Sequence, residues 1–195
     1  MGFEVKLEKS AGGIPVFQNV AENAQGGFAL DITGLTLGGI VPAGTVMGFD
    51  EATRKAAPLK MAKLQADATA VAVTYQVVKG SLIAVGDYLA AVVGGKAYAV
   101  TAIDKTNAAY DTLTIGTTLG AALTAGDALF ISSATGEANA VYATVAKGLL
   151  FAETKVAVNE PVAIATRATV YARRIPAITA EIKALLPNII FSQSF

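Results

Sequence analysis

Three aspartates stand where a carboxylate could act as an acid, a base or a ligand: Asp87, Asp104 and Asp127. Asp87 and Asp127 each follow a glycine, in Val85-Gly86-Asp87-Tyr88 and Ala125-Gly126-Asp127-Ala128. An aspartate in that place bonds the backbone of its own turn, so both are read as turn residues, together with Gly44, Gly86 and Gly126. Asp104 opens a polar hairpin tip, Asp104-Lys105-Thr106-Asn107. Nothing in the spacing selects two of these acids as a glycosidase pair, and no EF-hand pattern is present. Gly94-Gly95-Lys96 hints at phosphate binding. It lacks the G-x-x-x-x-G-K-[ST] spacing, and Ala97 stands where Ser or Thr is needed, so it reads as a hairpin tip. Arg173-Arg174 is the densest positive spot: either two solvated arginines at a strand end, or guanidinium forks that suit an acidic partner surface. Tyr75, Tyr88, Tyr98, Tyr110, Tyr142 and Tyr171 are spread through strand-like segments and read as packing residues.

The composition narrows the chemistry further. The 195 residues contain no His, no Cys and no Trp. Ser-His-Asp and Cys-His catalysis, His- or Cys-based zinc, copper and haem ligation, and disulfides are thereby excluded. An enzyme would have to work with carboxylate, Lys, Tyr or Ser side chains alone, and no metal site is expected. Charged residues make up 15%, against about 25% in an ordinary soluble domain, and fifteen basic residues cancel fifteen acidic ones. A neutral, charge-poor surface tends to associate. With an isoelectric point near 6.3 and no basic run, nucleic acid is not an expected partner. Mean hydropathy is +0.53, yet 39 alanines supply much of it, and no apolar run is long enough to span a bilayer. The acidic N-terminus, Met1 to Glu8, does not read as a signal peptide, so synthesis in a cytoplasm and no membrane association are expected.

These residues must be positioned mostly by β-structure. Residues 1–37 are rich in Gly and Asn and read as a loose N-terminal arm, with a short strand at Phe28–Ile32. From residue 38 to 172, segments rich in Val, Thr, Ile and Tyr alternate with Gly-containing turns. Strands are expected at Thr69–Val78, Ala97–Ile103, Thr112–Ile115 and Ala163–Ala172. Lys60–Asp67 reads as a helical turn. Within this domain one pattern occurs three times, beginning at Gly38, Gly80 and Gly120: Gly, two residues, an aliphatic, one residue, Ala or Val, Gly, Thr or Asp, one residue, Met or Leu. The second glycine (Gly44, Gly86, Gly126) should adopt positive φ. A strand should leave along Val46-Met47, Tyr88-Leu89 or Ala128-Leu129. The expected fold is mainly β: a small barrel or sandwich built from repeated Gly-Asp hairpins. Residues 173–195 complete it with one short helix and an apolar tail. The helix is expected over Ala177–Leu186, with Ile178, Ile182, Leu185 and Leu186 on one face, stopped by Pro187. The tail Asn188-Ile189-Ile190-Phe191-Ser192-Gln193-Ser194-Phe195 is too apolar for a solvated end and should dock.

From about Val78 to Phe195 the chain resembles the head-fibre and head-decoration proteins of tailed bacteriophages and prophages. The segments that carry the resemblance include Val85–Tyr88, Gly94–Asp104, Asn107–Gly120, Ala125–Phe130, Tyr171–Pro176 and Leu186–Ser192. Ile40–Val46 and Lys147–Leu150 also look like strands of small trimeric decoration proteins. The resemblance implies a β-rich, commonly trimeric capsid-surface protein that binds the major capsid protein, located on the virion and made in the host bacterial cytoplasm. It implies a protein that is not an enzyme and has no cofactor, and it transfers no site residues. For the attachment surface the sequence offers Arg173, Arg174, Ile189, Ile190 and Phe191. Two other readings stand beside it: a module that binds a host-surface glycan or protein, and a carboxylate-dependent hydrolase, which requires a cleft with two acids about 5–10 Å apart.

Overall fold

The computed structural model describes residues 15–193. The first fourteen residues of the arm, and Ser194 and Phe195 of the tail, lie outside the described residues. The strands of the first part are β1 (Phe17–Asn23), β2 (Phe28–Leu30), β3 (Ile40–Val41), β4 (Val46–Asp50) and β5 (Lys55–Pro58). Then come β6 (Met61–Lys63), β7 (Thr74–Val78), β8 (Tyr88–Ala90), β9 (Ala97–Asp104), β10 (Tyr110–Ile115) and β11 (Ala128–Ser132). The last part holds β12 (Gly148–Leu150), β13 (Thr154–Lys155), β14 (Pro161–Val162), β15 (Ile164–Tyr171), helix α1 (Ala180–Leu185) and β16 (Ile189–Ser192). The chain is mainly β, as its Val, Thr and Ile content dictates.

Two sheets each curl back on themselves. In the first, the order β15-β12-β4-β5-β2-β14 begins and ends on one stretch of chain, because β14 runs through Ala163 directly into β15. Inside this ring lie Phe28, Leu30, Met47, Ala56, Leu150 and Ile164. In the second, the order is β6-β11-β8-β9-β10-β7, and the two edges meet at an antiparallel bridge between Leu64 and Val77. The Gln65 N–H donates to the Gln76 carbonyl at 2.9 Å and seals that seam. Leu64, Tyr75, Val77, Leu89, Leu113, Leu129 and Ile131 fill this interior.

A third apolar layer lies between the rings, and strand alternation explains it. Successive side chains of a strand face opposite ways. In β11, Leu129 and Ile131 enter the second ring while Phe130 faces the middle layer. In β4, Met47 enters the first ring while Val46 faces the middle. Ile182, Leu186 and Ile189 from the C-terminal segment close the layer. The chain crosses from one ring to the other in two residues, Leu59 and Lys60, so β5 and β6 are nearly one continuous strand. Leu59 N–H bonds the Val46 carbonyl on one side, and the Lys60 carbonyl accepts Ile131 N–H on the other.

Several expectations meet their structural counterparts here. The strands expected at Ala97–Ile103, Thr112–Ile115 and Ala163–Ala172 appear as β9, β10 and β15, and Phe28–Ile32 appears as β2. The Thr69–Val78 segment is a strand only from Thr74 onward. Lys60–Asp67 is not a helical turn: Met61–Lys63 is β6, hydrogen-bonded to β11. Its Met61, Ala62 and Leu64 are buried against two different cores, a demand that a strand meets and a one-sided helix does not. The helix forms one turn later than expected, with Thr179 as its N-cap; the Thr179 hydroxyl accepts the Ile182 N–H. Ile182 and Leu186 are buried, but Leu185 is 56% exposed and is not part of the packed face.

Part of the arm segment is built into the first sheet. Strand β1 pairs antiparallel with β15 from Phe17↔Val170 to Asn23↔Ala165, with bulges along its length. Strand β2 lies between β5 and β14 with Phe28 and Leu30 buried.

Candidate functional site: the repeat turns and the C-terminal contact surface

The three repeats fold as three copies of one turn. Gly44, Gly86 and Gly126 have φ of +79°, +95° and +103°. Their N–H groups donate to the carbonyls of Leu150, Val100 and Leu64 at 2.8, 2.8 and 2.9 Å. The N–H groups of those partners return to the carbonyls of Thr45, Asp87 and Asp127, each at 2.8 Å. The Asp87 and Asp127 carboxylates accept the backbone N–H of Ala84 and Thr124, both at 2.8 Å. In the first copy, Pro42 has no N–H to give. There the polarity reverses, and the Thr45 hydroxyl donates to the Pro42 carbonyl at 2.7 Å. The strands that leave these turns bury Met47, Leu89 and Leu129 completely. The turn assignment of Gly44, Gly86, Asp87, Gly126 and Asp127 therefore has a full geometric account. The first two copies run into the hairpins β4–β5 and β8–β9, whereas β11 pairs with β6 and β8.

Asp87 also does something its sequence position does not show. Its carboxylate receives the Lys60 ammonium, with Nζ 3.1 and 2.9 Å from the two oxygens, and the same Nζ donates to the Gly34 carbonyl at 2.7 Å. One ammonium thus ties the first ring, the crossover and the second ring together. The Lys60 and Asp87 side chains are 11% and 19% exposed.

Two other acids, Asp31 and Asp50, line one cleft of about 560 Å³ with Lys55 and Lys147. Both carboxylates are already engaged locally. Asp31 accepts the hydroxyl and N–H of Thr33, and these bonds hold its pKa below the usual carboxylate value. Asp50 accepts the Ala52 N–H and the Thr53 hydroxyl, with the same effect. A general acid needs the opposite shift. Asp104, at its exposed hairpin tip, accepts the Thr106 N–H and is likewise lowered. Lys96 sits 3.9 Å from Glu137. Among the described residues, no cluster of three or more His, Cys, Asp or Glu is placed to hold a metal ion. Among the described residues, no helix is long and apolar enough to cross a membrane.

The five residues proposed for attachment separate into two groups. Arg173 and Arg174 are exposed in the loop after β15. Arg174 lies over the Tyr171 ring at 4.2 Å, and its Nη1 donates to the Pro15 carbonyl at 3.0 Å. The tail docks on its own domain: β16 adds to β15 in parallel, with Ala168↔Ile189, Thr169↔Ile190 and Val170↔Phe191 in register. Ile189 is 5% exposed and belongs to the middle core, whereas Ile190, on the opposite face, is 63% exposed and Phe191 is half-buried. Other large apolar side chains also face solvent. They include Val92, Val93, Val141, Leu37, Ile40 and Val158.

No family model, curated protein or solved structure matches the chain.

Proposed function

We propose that the protein is a virion structural protein that decorates, or forms a fibre on, the outer surface of a phage capsid. It binds the major capsid protein and stabilises the shell. The observation that supports this reading most directly is how the side chains are used. Asp87 and Asp127 are taken up by turns and Asp31, Asp50 and Asp104 by local hydrogen bonds, while fourteen large apolar side chains face solvent among the described residues. Single exposed apolar residues are ordinary, but fourteen of them on a neutral, charge-poor protein favour contact. The resemblance of Val78–Phe195 to head-fibre and decoration proteins supplies the partner.

The mechanism is adhesion by area, at roughly 25 cal/mol per Å² of apolar surface buried, before the cost of association. Many copies at symmetric positions reinforce the shell without strong single contacts. The protein assembles as a homotrimer. Light scattering of the purified chain is expected to give three times the 19.8 kDa protomer. Electron microscopy of particles with and without the protein is expected to show added surface density. Particles that gain no density at saturating protein would refute the reading.

A further inference from the structure

A cleft of about 400 Å³ opens where the end of β6, the end of β7 and the loop 173–177 converge. Among the described residues four cations line it, Lys63, Lys79, Arg173 and Arg174, and no acidic residue does. In a chain whose charges cancel overall, that is a strongly one-signed spot. Lys79 is already matched: its Nζ lies 2.7 Å from Asp111 Oδ1, whose side chain is 5% exposed, and 3.2 Å from the Lys105 carbonyl. Lys63 and Arg174 are the cations that matter for a ligand here. Arg174 is held in place by its stacking on Tyr171 and its bond to Pro15, so its remaining N–H groups are presented without much further loss of freedom. Between the cations the walls are apolar, from Pro42, Met61, Val78 and Ile175.

We infer that this cleft is the docking site for an acidic peptide segment of the partner protein, with a carboxylate set on the Arg174 fork and apolar neighbours against the walls. The inference rests on the reading of the protein as a capsid-binding one, and it names the chemistry of the contact. An arginine fork matches a carboxylate bidentately. A polyanion such as nucleic acid fits less well, because the positive charge is confined to one small cleft with apolar walls and the protein has no basic stripe.

The test uses the full chain and a defined probe, the peptide acetyl-Leu-Glu-Ile-Glu-Leu-amide, titrated calorimetrically at low and moderate salt beside its Gln counterpart. The Glu peptide is expected to bind at least about tenfold more tightly than the Gln peptide, and to weaken with salt. The double variant Lys63→Gln/Arg173→Gln removes two of the cations and is expected to weaken the Glu peptide about tenfold, with a cooperative melting curve showing that it is folded. A second variant, Arg174→Lys, keeps the charge but removes the fork, and is expected to lose most of the difference between the two peptides. Equal binding of both peptides, or of wild type and the double variant, overturns the inference. So does tighter binding of a duplex oligonucleotide than of the peptide. Co-sedimentation with virions separates the two levels. Peptide binding without virion binding by the wild type retains the cleft and refutes the decoration reading. Equal virion binding by wild type and double variant retains decoration and refutes the cleft as its contact.

Discussion

Lys60→Met tests the tie between the two rings. The substitution keeps the length and apolar stem of the side chain and removes the ammonium. The Asp87 carboxylate, 19% exposed on its side chain, then loses its ion pair, and the Gly34 carbonyl loses a donor. Removing one partner of a fully buried pair costs about 3–5 kcal/mol. Both side chains here keep some solvent contact, and Asp87 keeps its bond from Ala84 N–H, so roughly 2–3 kcal/mol is expected. With a urea slope of about 2 kcal/mol per M, the midpoint should fall by roughly 1–1.5 M. Asp87→Asn is expected to cost less, because the amide oxygen still accepts from Lys60 or Ala84. The Lys60→Met/Asp87→Asn double variant should recover part of the loss, since no unpaired charge remains. The assay is urea unfolding followed by circular dichroism, arranged as a double-mutant cycle. A midpoint shift for Lys60→Met below about 0.3 M, or a coupling energy below about 0.5 kcal/mol, would refute the claim that this ammonium joins the rings.

The equivalent glycines should not be equally sensitive. Gly86→Ala meets open space and carries only the cost of positive φ, about 1–2 kcal/mol; Gly44→Ala adds contacts of 2.8 Å to Ile175 and 2.9 Å to Val16 and should lower the thermal midpoint more. Burial raises the pKa of Tyr75 and of Tyr142, so the folded state holds those phenol protons longer than the unfolded chain. Stability from them is complete below about pH 10 and declines as pH rises further, and an alkaline ultraviolet titration should show these two of six tyrosines ionising late. Truncation after Leu186 should destabilise the fold because it removes Ile189 from the middle core and the whole of β16. Ile190→Asp, at a 63% exposed position, should leave the melting curve unchanged and reduce virion binding in a co-sedimentation assay.

Much of the local structure is legible in the residues themselves. Positive φ at Gly44, Gly86 and Gly126, and the turn bonds of Asp87 and Asp127, depend on atoms a few positions apart, so spacing is enough to find them. The alternation in Thr112–Ile115 likewise reports a strand with one buried face. The same logic misreads Lys60–Asp67. Met61, Lys63, Leu64 and Gln65 are good helix formers, but Met61 faces one core and Leu64 another, and only the tertiary structure supplies the second one. Lys60 gave no signal at all, since its partners Gly34 and Asp87 lie 26 and 27 positions away.

By itself, then, the sequence determined the β class, the three turns, the short C-terminal helix and the exclusion of His and Cys chemistry. The partners of those strands were decided by the tertiary structure. A strand's period says which side chains share a face and not which strand lies beside it. Phe17 meets Val170, and the seam at Leu64 meets Val77, through backbone bonds that any residue except proline can make as donor. The apolar tail shows the same division: its composition required docking, and the parallel pairing of β16 with β15 then put Ile189 in the core and left Ile190 outside.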